Sequence, residues 1–258
     1  MSDIILDMRL LVFGGSGYLG SEIMHAAISH GYTVTGTYQS KESPGCQKFD
    51  ISDRKTWKIL ENDYDKFIWA AAPKSTQENT DSFTELLIKR KGKKVVYVSS
   101  DITRCQNALK AETPLGDYAR QKLAEHELVL KNPSSVVFIT GPIYGINSSG
   151  TIDKRSANLV QNPNKKREFW KNVYKTFVPI DGLASTIFSN LDKTGKYYIG
   201  PPEKLSFYDF YKSRAESLGL PTNNFKPATI SDQELAPLGQ CRDISYSRKP
   251  NRLWEASA

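Results

Sequence analysis

Residues 9–20, RLLVFGGSGYLG, form the stretch of sequence that decides the fold. Its first part, Arg9 to Phe13, is a short apolar run of the kind found in buried strands. A turn rich in glycine follows directly, and an amphipathic helical pattern begins at Tyr18. A strand that runs through glycines into a helix is typical of the first unit of a sheet that binds a dinucleotide.

The glycines of this turn are spaced three residues apart. Gly14 allows a tight turn, Gly17 lets the backbone approach a pyrophosphate, and Gly20 lets the helix pack against the strand. The helix would then direct its free N–H groups and the positive end of its dipole toward the phosphates. An ordinary glycine-rich turn is the alternative interpretation. We predict a dinucleotide site formed by Gly14, Gly15, Ser16, Gly17, Tyr18 and Leu19.

Apolar strands and helical patterns alternate along the first half of the chain. Further strands are expected at Thr33 to Tyr38, Phe67 to Ala71, Lys94 to Ser99 and Ser135 to Thr140. This alternation predicts an α/β fold with a parallel sheet covered on both faces. The pattern changes after Pro142, where turn residues accumulate. We therefore expect a Rossmann-type doubly wound sheet in residues 1–142 and a smaller C-terminal substrate lobe in residues 143–258, packed as one unit.

The composition excludes several classes of protein. The 258 residues are 39% apolar, and the net charge of +7 is not gathered into a stripe with aromatic residues, so nucleic acid is not an expected partner. No run approaches the roughly 20 apolar residues of a membrane helix. Met1 to Arg9 lacks the basic start of a signal peptide. The scattered cysteines, Cys46, Cys105 and Cys241, fit a reducing cytoplasm better than a disulfide framework.

The end of the second strand bears on the choice of dinucleotide. A site for NAD usually has an acidic residue there, which binds the ribose 2′-hydroxyl. Here the chain has no acid before Glu42, and Ser40 and Lys41 can hold a 2′-phosphate instead. We expect NADP(H) to be favoured, with NAD(H) as the other option, although these residues also suit an ordinary polar turn.

Two more segments are candidates for the cofactor site. Asp50 follows a short third strand, where its carboxylate can meet an adenine amino group or, like Ser52 and Asp53, cap a helix. The strand that ends at Ala70, Ala71 and Ala72 carries small side chains, which let a flat cofactor lie on the edge of the sheet. Tight packing explains these alanines nearly as well.

Tyr118 and Lys122 are the candidate catalytic pair. They lie four residues apart on a predicted helix and therefore share a face. An ammonium beside a phenol favours the phenolate, so we expect Lys122 to lower the pKa of Tyr118. Such a tyrosine can act as a general acid toward a ketone that receives hydride, while the lysine also holds the nicotinamide ribose.

The four-residue spacing alone is weak evidence for a catalytic pair, because Tyr208 and Lys212 repeat it. Position separates the two pairs: Tyr118 follows a buried strand that ends in hydroxyl groups, whereas Tyr208 follows none and is expected to pack in the smaller lobe. Ser99 and Ser100 end that strand with side chains on opposite sides. The residues themselves leave open which serine faces the cleft.

Together these segments resemble an extended short-chain dehydrogenase/reductase, and most of all the dTDP-4-dehydrorhamnose reductase branch of sugar-nucleotide enzymes. The resemblance covers residues 9–145 and is looser beyond them. It is carried by Gly14 to Gly20, Asp50-Ile51, Ala70-Ala71-Ala72, Ser99-Ser100-Asp101, Pro114 to Glu125 and Gly141-Pro142-Ile143-Tyr144-Gly145.

The resemblance implies roles for particular residues. Ser100, rather than Ser99, takes the position of the catalytic hydroxyl, and Asp101 faces the substrate. Gly141 and Ile143 lie on the nicotinamide side, and Asp50 and Ile51 join the cofactor site. The segment from Lys165 to Lys171 occupies the place where the family holds a nucleotide diphosphate, but as a sequence it suits a solvated loop slightly better.

The chain also departs from the family. Only 20 residues separate Pro73 from Lys94, where the family has a longer segment with a covering helix. The family's arginine near the end of the sixth strand is absent from Phe138-Ile139-Thr140. His25, His30 and His126 fall on helices without partner ligands, so no metal site is expected.

Three hypotheses follow. The first is a reductase in which NADPH gives hydride to a keto-sugar linked to a nucleotide, with Tyr118 as proton donor, Ser100 polarising the carbonyl group and Lys122 holding the ribose. The second is an epimerase or dehydratase that retains NAD. The third is a regulatory subunit that binds NADP without catalysis. The expected partner is a small molecule, with no membrane contact, and a homodimer is compatible with this family.

Overall fold

The structure is a computed structural model that describes residues 8–90, 92–245 and 251–254. Residues 1–7, and with them most of the segment considered for a signal peptide, lie outside the described residues. Within the described ranges, no helix has the length and apolar character needed to cross a bilayer.

Eight parallel strands form one large sheet. In chain order they are β1 (Arg9–Phe13), β2 (Thr33–Tyr38), β3 (Cys46–Lys48), β4 (Lys66–Trp69), β5 (Lys94–Ser100), β6 (Val136–Thr140), β11 (Gly195–Ile199) and β14 (Arg252–Leu253). Across the sheet the order is β14-β11-β6-β5-β4-β1-β2-β3. The order reverses at β1, and such a switch point creates a crevice at the carboxyl ends of the strands.

The remaining strands are short pairs outside this sheet. They are β7 (Ile143–Tyr144), β8 (Arg167–Trp170), β9 (Tyr174–Lys175), β10 (Val178–Pro179), β12 (Leu205–Ser206) and β13 (Phe225–Ala228). The α-helices are α1 (Tyr18–Ser29), α2 (Gln77–Lys89), α3 (Gln106–Lys110), α4 (Pro114–Leu130), α5 (Lys154–Gln161), α6 (Ile180–Phe188), α7 (Phe207–Ser217) and α8 (Asp232–Leu235). Two 3₁₀ helices are η1 (Arg54–Glu61) and η2 (Asp101–Arg104).

The large sheet has a separate hydrophobic core on each face. Alternate residues of β1 show the division, because Leu11 and Phe13 pack into one core and Leu10 and Val12 into the other. All four are at most 1% exposed, so both faces of the strand are covered. This confirms the predicted α/β fold with a parallel, doubly covered sheet.

Residues beyond 142 also enter this sheet. β11 pairs with β6 and β14 pairs with β11, both in parallel. Helix α6, also from this part of the chain, packs on α1. Part of residues 143–258 therefore belongs to the large sheet. That residues 143–258 act as a separate substrate lobe stays a prediction.

The expectation for the cysteines is wrong for two of them. Cys105 and Cys241, 136 positions apart, form a disulfide, whereas Cys46 is free. The chain brings the two together because Cys105 begins α3 and the segment after α8 folds back over it, where the Asn107 side chain donates a hydrogen bond to the Gln240 carbonyl. Sequence separation gave no sign of this contact.

Helix α1 and strand β1 approach each other so closely that Gly20 cannot carry a side chain. A Cβ atom there would collide with the carbonyl oxygen of Gly14. We expect Gly20→Ala to lower the free energy of unfolding by about 1–3 kcal/mol, because the turn must shift to relieve the overlap. Urea denaturation gives this value, with Ser29→Ala on exposed α1 surface as the control. Equal stability of the two variants would contradict the packing.

The disulfide closes a long loop, so its loss should destabilise the protein. We expect Cys241→Ser to lose about 2–4 kcal/mol of unfolding free energy relative to oxidised wild type. Cys46→Ser, which removes the free thiol, is the matched control. Mass spectrometry of the purified protein, with and without reductant and alkylation, measures the bond directly. Three alkylated thiols in protein that was never reduced would show the pairing to be wrong.

Candidate active site

A cleft of about 620 Å³ opens where β4, β5 and β6 end, beside the start of α1. Parallel strands finish at the same edge of a sheet, so residues far apart in sequence meet there. The predicted site residues that line this cleft are Tyr18, Leu19, Ala70, Ala71, Ala72, Ser100, Asp101, Tyr118, Lys122, Gly141 and Ile143.

The N-terminus of α1 opens toward this edge without a side-chain cap. Gly17 stands at the cap position, and the first turn contains no acidic residue. The first N–H groups of the helix and the positive end of its dipole are thus left for an anion. The chain also needs glycine at Gly14, which has φ +80° and where a Cβ atom would lie 2.9 Å from the Cα of Ala71. This glycine cradle fits a diphosphate group.

Eight predicted cofactor residues lie outside the lining of the cleft: Gly14, Gly15, Ser16 and Gly17 of the turn before α1, and Ser40, Lys41, Asp50 and Ile51. Ser40 and Lys41 are exposed just after β2. The Asp50 carboxylate accepts hydrogen bonds from Ser52 and from the side-chain amide of Gln39. Ile51 is 4% exposed and packs in the hydrophobic core. Contacts between these side chains and a cofactor stay predictions, and the helix cap at this place is Asp53, which accepts from the N–H of Lys55.

Helix α4 carries the candidate pair into the cleft. The helix starts at Pro114, and the Thr113 hydroxyl caps it by accepting from the N–H of Gly116. Tyr118 is half-buried and hydrogen-bonded to the Ser100 side chain. Burial raises the pKa of Tyr118 to about 12, although the hydrogen bond from Ser100 opposes this rise. At neutral pH Tyr118 therefore holds its proton and is a donor.

Lys122 lies one turn further along α4 and is 4% exposed. Its Nζ donates to the carbonyl oxygens of Ala71 at 3.2 Å and Val98 at 3.4 Å, and stands 4.7 Å from the centre of the Tyr97 ring. Burial lowers the pKa of Lys122 to about 8. The prediction that Lys122 lowers the pKa of Tyr118 is wrong for this structure. The Lys122 ammonium donates its hydrogen bonds to carbonyl oxygens. Burial is the largest cause of the shift in the Tyr118 pKa.

The two serines at the end of β5 are distinguished by their partners. The Ser99 hydroxyl is 3.2 Å from Nδ1 of His126 in the interior, and Ser99 is 2% exposed. Ser100 is half-buried, lines the cleft and reaches Tyr118. Both serines are in the lining of the cleft, but Ser100 is the more exposed of the two and is therefore the better placed to contact a molecule there.

A buried polar network behind Lys122 was missed in the sequence analysis. Glu125 is fully buried, and its carboxylate accepts from the Tyr97 hydroxyl and from the side-chain amide of Gln121. The Gln121 carbonyl oxygen in turn accepts from the Ser75 hydroxyl. Glu125 is also the one opposing charge that raises the pKa of Lys122. The sequence contained one sign of this network. Glu125 follows Lys122 by three residues, so the two share a face of the helix.

The opposite wall of the cleft comes from the C-terminal half and was also missed. It includes Asp153, Arg155, Lys175 and Gln240. Asp153 accepts from the backbone N–H of Gly145 and caps α5. These residues follow no motif, so only the folded chain shows that they face Ser100.

The basic segment from Lys165 to Lys171 is partly a strand, which corrects the interpretation as a loop. β8 pairs with β13, and the ring of Phe169 stacks on Tyr211 at 4.2 Å. A smaller cavity of about 260 Å³ lies beside it. Its walls are Lys154, Arg155, Asn158, Leu159, Arg167, Phe169 and Tyr211. Tyr208, the repeat of the Tyr118 pattern, packs with Leu159, Ala215 and Phe225 as expected.

A sequence model of the NAD dependent epimerase/dehydratase family matches residues 10–162, which is more than half of the chain. No curated protein sequence matches. Solved structures with the same fold include a hypothetical dTDP-4-dehydrorhamnose reductase from Sulfolobus tokodaii, with a TM-score of 0.72 and 21% identity over 92% of this chain and 91% of that one.

Two further solved structures show the range of similar proteins. A dTDP-4-dehydrorhamnose reductase from Bacillus anthracis in complex with NADP has a TM-score of 0.71 and 15% identity, over 93% of this chain and 89% of that one. A dTDP-glucose 4,6-dehydratase from the same organism in complex with NAD has a TM-score of 0.68 and 18% identity, over 87% and 85%. At these identities the likeness concerns the fold.

The burial of Lys122 should cost stability in a way that depends on pH. The folded pKa of about 8 is below the value of roughly 10.4 in an unfolded chain. The folded state then binds fewer protons between these values, so stability should rise with pH across this window, and the full cost applies below it. We expect Lys122→Met to raise the unfolding free energy at pH 7 by about 1–3 kcal/mol and to remove that rise.

Urea denaturation between pH 7 and 10 measures both effects. Lys55→Met, at an exposed position, is the control and should leave the pH dependence unchanged. If Lys122→Met is less stable than wild type at pH 7, the prediction is contradicted. The contacts of the ammonium would then stabilise the fold by more than its burial destabilises it.

Proposed function

Since the chain belongs to the NAD dependent epimerase/dehydratase family, we propose that it is an NADP(H)-dependent reductase of a keto-sugar linked to a nucleotide. The observation that best supports this is the meeting of Ser100, Tyr118 and Lys122 in one cleft, beside the uncapped N-terminus of α1. A hydroxyl, a protonated phenol and a buried ammonium are the groups that a carbonyl reduction needs.

The glycine turn and the edge of the sheet would hold the dinucleotide. The residues proposed for this are Gly14, Gly15, Ser16, Gly17, Tyr18, Leu19, Ala70, Ala71, Ala72, Gly141 and Ile143, with Asp50 and Ile51 toward the adenine. The cofactor supplies the hydride, and its pyrophosphate suits the N–H groups of α1. Exposed Ser40 and Lys41, with no acid before Glu42, favour a 2′-phosphate and thus NADP(H) over NAD(H).

Tyr118 supplies the proton in this proposal. Its raised pKa keeps the phenol protonated, so the proton is available when negative charge develops on the substrate oxygen. Ser100 donates a hydrogen bond to the same oxygen and thereby polarises the carbonyl group. Lys122 stabilises the phenolate that remains and binds the nicotinamide ribose, after turning from the carbonyls of Ala71 and Val98.

Residues 143–258 are proposed to bind the rest of the substrate. The smaller cavity lies next to the main cleft, because Lys154 and Arg155 line both. Cations suit a diphosphate, and the stacked rings of Phe169 and Tyr211 suit a flat base. Similar structures include MoeE5 in complex with UDP-glucuronic acid and NAD, which fits a nucleotide sugar as substrate here.

An epimerase or dehydratase that retains NAD is the second candidate. It is favoured by the family's own description and by structural likeness to a UDP-N-acetylglucosamine 4-epimerase from Bacillus cereus, with a TM-score of 0.66. Such an enzyme regenerates its cofactor in each turnover. Absorbance and mass analysis of the purified protein separates the two, because retained NAD supports the second candidate and an empty site that takes up NADPH supports the first.

Replacing Tyr118 tests the proposed reductase. With a panel of keto-sugar nucleotides and NADPH oxidation as the readout, we expect Tyr118→Phe to reduce kcat by at least about 100-fold, because the proton donor is lost. Binding of NADPH, followed by its fluorescence, should change no more than a few-fold. Tyr208→Phe, at the repeated spacing, is the matched control and should retain full turnover.

Two results would contradict the proposal. Full turnover by Tyr118→Phe would remove the assigned proton donor. Absence of turnover by wild type on every ketone of the panel, together with tight NADPH binding, would instead support a subunit that binds the cofactor without catalysis.

A further inference from the structure

Two charged residues from distant parts of the chain meet in the wall of the cleft. Asp101 follows Ser100 directly at the start of η2, and Lys175 ends the short strand β9. They are 3% and 4% exposed, and both line the cleft. The Lys175 Nζ lies 4.0 Å from the Asp101 Oδ2, which is beyond the length of a direct hydrogen bond.

The Asp101 carboxyl group is incompletely satisfied. Among the described residues, its buried Oδ2 has no hydrogen-bond partner. Burial raises the pKa of this carboxyl group, although Lys175, Arg104, Arg155 and a hydrogen bond with the Ser100 side chain act in the opposite direction. A buried oxygen without a partner is costly, and it gains most from a donor that enters with a ligand.

The distance between the Lys175 Nζ and the Asp101 Oδ2 indicates which kind of ligand group fits between them. An oxygen atom can stand about 2.8 Å from both atoms when these are 4.0 Å apart. A hydroxyl group can donate to Asp101 and accept from Lys175 at once. A carboxylate would face Asp101 without a proton to donate, and an ammonium would face Lys175 without a lone pair.

We propose that Asp101 and Lys175 form a hydroxyl clamp, which binds a substrate hydroxyl on the carbon next to the ketone. The place of the clamp follows from the chain, because Asp101 is joined to Ser100, the residue assigned to the carbonyl oxygen. This inference rests on the proposed reductase chemistry and adds a substrate requirement: an α-hydroxyketone is preferred over the same ketone without the hydroxyl. Lys175 is then a residue that determines specificity.

Two small ketones test the clamp without reference to the nucleotide. Hydroxyacetone and acetone differ by the one hydroxyl, and NADPH oxidation gives kcat/KM for each. We expect the ratio of these values to fall by about 10-fold or more in Lys175→Met and in Asp101→Leu relative to wild type, since each variant removes one hydrogen-bond partner of the hydroxyl. Comparison with wild type cancels the difference in intrinsic reactivity between the ketones.

Controls separate the clamp from a general effect on folding. Lys175→Arg retains the donor and should keep most of the ratio, whereas Lys226→Met removes an exposed lysine and should keep all of it. Because either single variant leaves one buried charge unpaired, the double variant Asp101→Leu/Lys175→Met is measured too, with melting temperature and NADPH binding as checks of folding. Its ratio should match that of the single variants.

The outcomes distinguish the clamp from the wider proposal. A ratio unchanged in both single variants overturns the clamp, and so does a wild-type protein that reduces neither ketone. A ratio that collapses in the variants supports the clamp even if no nucleotide-linked ketone is turned over, in which case the proposed nucleotide substrate is the part that fails.

Discussion

The close approach of α1 to β1 is the constraint on which the rest of the structure depends. Gly20 lies against the carbonyl group of Gly14, and Gly14 in turn lies against the backbone at Ala71. Three backbone segments thus meet without side chains between them. The free end of α1 is thereby held at the switch point of the sheet, and the residues that follow β4 and β5 are brought to the same edge.

The second determinant is a set of polar groups buried in α4. Lys122 and Glu125 lie in the interior, held by carbonyl oxygens, by the Tyr97 hydroxyl and by Gln121. Burying an ammonium is unfavourable, and a helix meant only to cover a sheet would carry apolar residues at these positions. We therefore interpret the network as a support that holds Lys122 beside the cleft.

Local signals made most of the fold and half of the site predictable. The β1 strand, the glycine turn and the helix after it form within one stretch, and the placement of Tyr118 follows from helix spacing and from the strand before it. Two features that were not predicted depend on contacts between distant parts of the chain. They are the pairing of Cys105 with Cys241 and the meeting of Asp101 with Lys175. The shift in the Tyr118 pKa depended on burial, which a four-residue spacing does not reveal.

The segment after α8 packs against η2 and α3 and supplies Gln240 to the wall of the cleft. Cys241 is bonded to Cys105, and the Arg104 guanidinium donates to the backbone at Ile244 and Ser245. A ribosome therefore releases Ser100, Tyr118 and Lys122 long before the wall that faces them exists. The cleft is therefore still open on one side when the first half of the chain has been made.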